Sequence, residues 1–263
     1  MSNYKLYKGA WVADDSFNET RLSDDEAKCL LNGGGGYFVR NVFDFDCEEK
    51  TSFWYVIKDS FGGMEELSSK MRNQVKRCFK TMRVEQISAE YLMANGYEVY
   101  VAAAENYRIK AAVPTRKEFE TRIKKSVKNE FWGVIDIETE QLVAFSINQV
   151  TEDVCNYSTM KAIPKYQKRY AYYGLIFEMN RYYLEVRKVK YVNDGARSIT
   201  NHSNIQPFLI EKFKFRKAYC HLHLTYKWWF GMVVRVLYPF RRVIKVAKVK
   251  AILNMEAMAR GEI

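Results

Sequence analysis

The sequence lacks the signatures of several common classes of protein. No two cysteines have the C-x-x-C spacing of a zinc site, and their number is odd, so a disulfide framework is not expected. No apolar run reaches the length of a bilayer span, and the polar first ten residues do not resemble a signal peptide. These absences favour a reduced, cytoplasmic setting. The scattered cysteines are Cys29, Cys47, Cys78, Cys155 and Cys220.

Proline is scarce, and acidic residues are outnumbered by basic ones. Only four prolines interrupt the 263 residues, whereas 48% of the residues are hydrophobic and 15% are aromatic, which is typical of a globular protein with a substantial core. The 42 Lys and Arg against 31 Asp and Glu give a net charge of +11. This charge favours an anionic partner: nucleic acid, anionic lipid or a phosphorylated cofactor. A generally basic surface is the alternative.

The segment 155–215 has the most informative pattern. Alternating side chains predict a strand over 157–162, which Pro164 ends. Apolar residues at helical spacing predict a helix over 174–187, and a short strand follows at 190–193. The basic turn between the first strand and the helix could hold an anion, because a helix N-terminus offers unpaired N–H groups and the positive end of the helix dipole.

Further strands and helices are predicted on both sides of this segment. The predicted strands are 53–58, 82–87, 97–103, 131–137, 142–150 and 218–226, and the predicted helices are 67–80, 89–95, 116–128 and 205–212. A strand, a basic helix and a strand occur in this order at 53–87 and again at 154–193, which suggests two halves. The predicted domains are an N-terminal half (1–110), a second half (111–226) and a C-terminal tail (227–263).

The C-terminal tail differs in composition from the rest of the chain. Tryptophan, phenylalanine, methionine and valine are concentrated in 228–234, the segment 227–253 contains seven cations, and no acidic residue occurs between 227 and Glu256. An amphipathic helix on an anionic membrane surface has this composition. The alternative is a C-terminal helix that packs on its own domain.

The order of elements in 126–226 resembles that of the GCN5-related N-acetyltransferase (GNAT) fold. This family has a fingerprint, R/Q-x-x-G-x-G/A, just after a proline-containing strand end. The corresponding positions here are Gln167, Lys168, Arg169, Tyr170, Ala171 and Tyr172. Gln167 matches, but tyrosines replace both glycines, which in the family let backbone N–H groups approach the pyrophosphate of coenzyme A. The family's closing motif, Tyr-x-Lys-x-Gly-Phe, falls on 210–215, where Ile210 stands in place of the usual tyrosine acid.

Three features resemble Fem-type proteins, a GNAT branch that looks like two GNAT units in tandem and includes peptidoglycan aminoacyl transferases. They are the basic helix segment 69–75, the tyrosine-rich helix 170–183 and the Phe-Lys-Phe ending of 208–215. The resemblance implies an α+β fold, with a GNAT-like, mixed and mostly antiparallel sheet flanked by helices. It also implies two tandem GNAT-like halves, followed here by a C-terminal basic helix.

The resemblance implies that the fingerprint residues bind the carrier of an acyl group, either acyl-CoA or another thioester. Lys168 and Arg169 are the expected phosphate contacts, because charge, position and helix start agree. A merely solvated basic turn is the alternative. Ser203 and Asn204 are further carrier-binding candidates, although their simplest role is to cap the helix at 205.

Two residues are candidates for the general base of such a transfer. His202 lies in a polar loop beside a helix start, and Asp194 lies at the end of a strand. A solvent-facing histidine and a turn aspartate are the respective structural alternatives. His221 and His223 share one face of a strand, but no third ligand accompanies them, and no metal site is predicted.

Three functions are compatible with these patterns. The first is an N-acyltransferase, such as an acetyltransferase, that moves an acyl group from a thioester carrier to a small-molecule or cell-envelope amine. The second is a Fem-type transferase that takes its acyl group from aminoacyl-tRNA, which would account for the basic charge. The third is a non-catalytic module that binds a membrane or nucleic acid through its tail. The expected location is the cytoplasm, including the inner face of the membrane.

Overall fold

A computed structural model describes residues 4–13, 21–105, 113–125, 129–199 and 205–262. This part of the chain contains ten β-strands and nine α-helices, and none of these helices is long and apolar enough to cross a membrane. It divides into two compact units. The first comprises Met1–Tyr55, Ala196–Asn201 and Lys217–Ile263, and the second comprises Val56–Gly195 and His202–Arg216. The domain boundaries near residues 110 and 226 stay a prediction.

Most elements lie where the sequence pattern predicts them. The strands are β1 (Tyr4–Tyr7), β2 (Ala10–Ala13), β3 (Phe38–Cys47), β4 (Phe53–Lys58), β5 (Met82–Ile87), β6 (Asn129–Asp136), β7 (Leu142–Val150), β8 (Val154–Ala162), β9 (Tyr191–Ala196) and β10 (Arg216–Tyr226). The helices are α1 (Asp24–Asn32), α2 (Ser69–Thr81), α3 (Ala89–Glu105), α4 (Arg116–Lys124), α5 (Pro164–Gln167), α6 (Ala171–Asn180), α7 (Ile205–Phe213), α8 (Trp228–Leu237) and α9 (Ala247–Ala259). A π-helical turn, Arg181–Val186, extends α6. The predicted α+β fold with a mixed, mostly antiparallel sheet is confirmed.

The first unit contains the strand order β1-β2-β3-β10. β1 and β2 form an antiparallel hairpin, β2 runs parallel to β3, and β3 runs antiparallel to β10. α1 begins with a capping box, in which Ser23 and Glu26 satisfy each other's backbone N–H groups. Its buried residues, Ala27 and Leu31, pack with Val39 of β3.

The second unit contains the strand order β9-β8-β7-β6-β5. Its strands β5 to β8 are antiparallel neighbours, and β6, β7 and β8 are joined by short hairpin turns. β8 and β9 are parallel and are connected through α5 and α6. α6 packs against α2, and Gly174 is the residue that permits the close approach. A Cβ at Gly174 would lie 2.3 Å from Sγ of Cys78 on α2, well inside van der Waals contact.

One predicted strand is wrong. Residues 97–103 belong to α3, which continues past Gly96. Tyr97 and Tyr100, three positions apart, both pack on the ring of Phe119 in α4, with ring centroids 5.9 and 5.8 Å away. A Cβ at Gly96 would lie 3.2 Å from that ring, so the glycine serves close helix packing and does not end the helix. Tertiary packing overrides the local alternation here.

Candidate functional site

Strands β8 and β9 pair over a short distance and then separate. Residues 154–156 pair with residues 191–193, and no further pairs join these strands among the described residues. The side chain of Asn193 donates a hydrogen bond to Oδ1 of Asn156, 2.8 Å away, at the last pair. Residues 157–162 of β8 continue beyond this point for roughly 20 Å, at about 3.3 Å per residue. The second unit therefore contains two neighbouring parallel strands that separate after three residue pairs.

A β-bulge lies where the two strands separate. Ile147 of β7 pairs with Thr159, but its neighbour Asn148 pairs with Tyr157, so Ser158 has no partner residue in β7. A bulge bends its strand and redirects the local backbone groups. Ser158 is exposed.

Asp194 is the predicted base that lies within the described residues. It belongs to β9 and is followed by Gly195, whose φ of 100° is left-handed. Burial raises the pKa of Asp194 to about 7, and a hydrogen bond with Gln206 of α7 works against this rise. A carboxyl group with such a pKa is partly protonated and partly ionised at neutral pH, which is the state that proton transfer requires.

A buried tyrosine and asparagine lie in the same part of the second unit. The hydroxyl of Tyr157 donates to Oδ1 of Asn180 at 2.9 Å, and both side chains are buried. Burial raises the pKa of Tyr157 well above its ordinary value, and the charges of Cys155, Tyr183 and Asp194 act in the same direction. The tyrosine is therefore neutral, and its hydroxyl can donate a hydrogen bond.

Nδ2 of Asn180 is buried and has no hydrogen-bond partner among the described residues. Buried donors are nearly always hydrogen-bonded, and a bound polar ligand could supply the acceptor that this N–H group lacks. Neither Asn180 nor Tyr157 is among the site residues predicted from the sequence. One signal was available: Asn180 lies between Ile176 and Tyr183 at the helical spacing of the apolar face.

The fingerprint residues form the turn between β8 and α6. Pro164 occupies the first position of α5, as a missing N–H allows, and the chain then passes into α6. An open groove of about 600 Å³ lies at this turn. It is lined by Pro164, Lys165, Gln167 and Lys168, and both lysines are exposed. The groove therefore carries positive charge at the start of a helix.

The two tyrosines at the family's glycine positions behave differently. Tyr170 has a φ of 71°, in the left-handed region, so the backbone keeps a conformation that favours glycine although the side chain is large. Its ring contacts that of Tyr173 edge-on, with centroids 5.4 Å apart. The hydroxyl of Tyr172 donates to the carbonyl of Met160 on β8 at 3.4 Å. An extended carrier along this stretch of β8 would meet the side chain of Tyr172.

Arg169 is engaged by a carboxylate. Its Nη1 donates to Oδ2 of Asp136 at 2.8 Å. Burial works to raise the pKa of Asp136, but hydrogen bonds from the backbone N–H groups of Glu138 and Thr139, and from the side chains of Tyr166 and Arg169, lower it overall. Asp136 is ionised at neutral pH and neutralises Arg169, so Lys165 and Lys168 supply the net charge of the groove.

The remaining predicted site residues are placed as follows. His202, Ser203 and Asn204 lie outside the described residues, and their proposed roles stay predictions. His221 and His223 lie on β10. The imidazole of His221 lies 3.6 Å from the carboxylate of Glu49, and that of His223 lies 2.9 Å from Nη2 of Arg21. The described residues contain no cluster of three His, Cys, Asp or Glu side chains that could hold a metal ion.

Comparison with known proteins identifies the fold. No family model and no curated protein matches the sequence. Among solved structures, FemX matches with a TM-score of 0.54 at 9% identity, over 85% of this chain and 81% of FemX. The C-terminal domain of a candidate lysylphosphatidylglycerol synthetase from Agrobacterium fabrum matches with a TM-score of 0.53 at 11% identity, over 89% and 84% of the two chains. L-PGS from Bacillus licheniformis matches with a TM-score of 0.50 at 13% identity, over 98% and 85%.

The chain thus has the GNAT-like fold that the sequence resemblance predicted. FemX and the two L-PGS-type proteins are among the solved structures that share this fold over most of their length. At 9 to 13% identity, these matches concern the fold alone.

Proposed function

We propose that this protein is an acyltransferase that forms an amide between an amine acceptor and an acyl group from an activated, phosphate-bearing carrier. A thioester such as acyl-CoA is the first candidate for the carrier. The observation that supports this proposal most directly is the separation of β8 and β9 beside a carboxyl group whose pKa is about 7. At this point an unpaired strand edge lies next to a carboxyl group that can accept a proton at neutral pH.

Each candidate residue has a role in this reaction. The ionised carboxylate of Asp194 accepts a proton from the acceptor amine, whose nitrogen then attacks the acyl carbonyl carbon. The backbone at Ser158 is the candidate donor to the oxygen on which negative charge develops. The C–S bond then breaks, the carrier leaves as a thiolate that takes up a proton, and the amide remains. The unpartnered amide of Asn180 is the candidate that orients the acceptor or the acyl group.

The groove at the start of α6 is the proposed site for the carrier's phosphates. Lys165 and Lys168 give it a positive charge, and the left-handed Tyr170 preserves the turn that precedes the helix. A pantetheine arm along β8 must displace the hydrogen bond between Tyr172 and Met160. Coenzyme A therefore fits this stretch of β8 only if the side chain of Tyr172 changes its position. His202, Ser203 and Asn204 remain proposed participants.

An aminoacyl-tRNA is the second candidate carrier. Two observations favour it: tyrosines replace the glycines that approach a pyrophosphate, and FemX and the L-PGS proteins match over most of this chain. Under this proposal the aminoacyl ester takes the place of the thioester. The acceptor is then an amine of a cell-envelope precursor. The chemistry at Asp194 is unchanged.

Ligand-dependent thermal stability distinguishes the two carriers. At 100 times the dissociation constant, the correct carrier should stabilise the folded state by about 2.7 kcal/mol. For a chain of this length, this corresponds to about 5–10 °C in melting temperature. We expect CoA and acyl-CoA to produce the shift under the first candidate, and only charged tRNA to produce it under the second, with a steep loss as salt rises.

A matched pair of charge reversals tests the groove. Lys168→Glu should reduce the ligand-induced shift, whereas Lys117→Glu, an equal charge change on the exposed surface of α4, should leave it intact. Equal losses in both variants would assign the effect to net charge and not to the groove. If CoA, acyl-CoA and charged tRNA all fail to stabilise the wild-type protein, the proposed transferase is wrong.

A further inference from the structure

Helix α8 is apolar on two opposite sides. One side packs inside the first unit, where Val234 and the following Tyr238 form a buried cluster with Leu253 and Ala257 of α9. This contact accounts for the inward face of the helix. It does not account for the apolar residues on the other side, which the cluster leaves uncovered.

The outward side of α8 exposes large apolar side chains in a continuous row. Trp228, Met232 and Val236 follow one another at intervals of four residues, so they lie on one side of the helix, and 77%, 54% and 66% of their surfaces are exposed. Further exposed apolar residues on this side and in the turn that follows are Trp229, Val233, Phe240, Val243 and Val246. We call this set the α8 surface. Contiguous exposed apolar residues of this kind mark an interaction site.

Cations surround the α8 surface. Arg235, Arg242 and Lys245 are exposed among its apolar residues, and no acidic residue occurs from 227 to 255. A surface that combines tryptophan and aliphatic residues with unopposed cations is complementary to the boundary between the acyl chains and the anionic headgroups of a lipid bilayer.

We propose that the α8 surface binds the face of an anionic lipid bilayer, with the helix parallel to the membrane plane. The charge distribution favours lipid over a second copy of this chain, because a two-fold contact would bring the same cations against each other. The exposed apolar row favours lipid over nucleic acid, whose binding depends on phosphate contacts. This inference does not depend on the proposed transfer reaction, because it rests on residues of the first unit and is tested without a reaction.

The test is co-sedimentation of the whole protein with vesicles. Vesicles of phosphatidylcholine with about one third phosphatidylglycerol should bind the protein, and the binding should weaken as salt rises and screens the charges. Vesicles of phosphatidylcholine alone should bind it at least tenfold more weakly. Arg242→Ala with Lys245→Ala should weaken binding to anionic vesicles by about 30-fold, since each cation near the surface contributes a factor of about five.

Replacement of exposed apolar residues distinguishes binding through the α8 surface from nonspecific hydrophobic binding. Trp228→Glu with Val236→Glu should abolish vesicle binding without loss of melting temperature, because both side chains are exposed. The matched control is Ile137→Glu with Val186→Glu, two exposed aliphatic residues of the second unit, which should bind as the wild type does. Equal binding by both double variants overturns the proposal. The proposal is also wrong if the wild type does not bind vesicles and forms a dimer in light scattering that Trp228→Glu dissociates.

Discussion

Replacement of Asp194 by asparagine should make the protein more stable at pH 8 while it removes the proposed base. The pKa of Asp194 is about 7 in the folded protein, against an ordinary value of 3.8. Between these two pH values the folded state holds the proton and the unfolded state does not. The free energy of unfolding therefore falls as pH rises from about 4 to about 7. Asparagine has no charge to bury at any pH.

The size of this effect follows from the pKa difference. A rise of about three units corresponds to about 4 kcal/mol at 1.36 kcal/mol per unit, and we expect about 2–4 kcal/mol because the side chain keeps some contact with solvent. The Asp194→Asn variant should melt at least about 4 °C above the wild type at pH 8. Most of this gap should disappear at pH 4.5, where the wild-type carboxyl group is protonated in the folded state.

Thermal unfolding at both pH values measures the gap and requires no substrate. The control is Asp153→Asn, which removes an exposed carboxylate that pairs with Lys190 at 2.9 Å. Such a pair contributes about 0–1 kcal/mol, so this control should change stability little at either pH. If the Asp194→Asn gap is the same at pH 8 and at pH 4.5, or if the variant is less stable at pH 8, the buried carboxylate does not have the raised pKa on which the proposed base depends.

Two further substitutions test the packing of the second unit. Gly174→Ala should lower the free energy of unfolding in urea by about 1–3 kcal/mol, because the new methyl group overlaps Sγ of Cys78. The added change Cys78→Ala should recover much of this loss. An unchanged free energy in the single variant would contradict the close approach of the two helices. The buried ammonium of Lys58 lies 2.8 Å from the carboxylate of Glu66. Lys58→Met should lower the free energy of unfolding by about 3 kcal/mol or more, because the carboxylate loses this charged partner. The double variant with Glu66→Leu should restore stability, and failure to restore it would show that the pair itself is required.

Local signals predicted the elements that carry the candidate site. The alternation before Ala162, followed by Pro164, marks the end of β8 because a strand alternates its faces and proline cannot continue the ladder. The apolar spacing after Gly174 marks α6 because residues three and four apart share one helix face. These signals arise from neighbours in the chain, and the GNAT-like order of elements follows from them.

Non-local contacts decided the properties that a local pattern does not contain. Arg169, predicted to contact phosphate, is paired with Asp136, which lies 33 positions earlier in the sequence. The orphaned amide of Asn180 is recognisable only once Tyr157 and the surrounding core are in place. The ion pair of Arg169 and the burial of Asn180 both depend on which distant segments the fold brings together. The local periodicity of a single sequence does not contain this information.

Apart from residues 97–103, the sequence by itself determined the type and order of the predicted elements, the basic turn before α6 and the aspartate at the end of β9. The tertiary structure alone decided that β8 and β9 separate after residues 156 and 193, and that Asp194 keeps its proton up to about pH 7. The physical reason is that strand separation and burial are produced by partners far along the chain. The free energy of a charge depends on all of these surroundings, whereas secondary structure depends largely on the nearest residues.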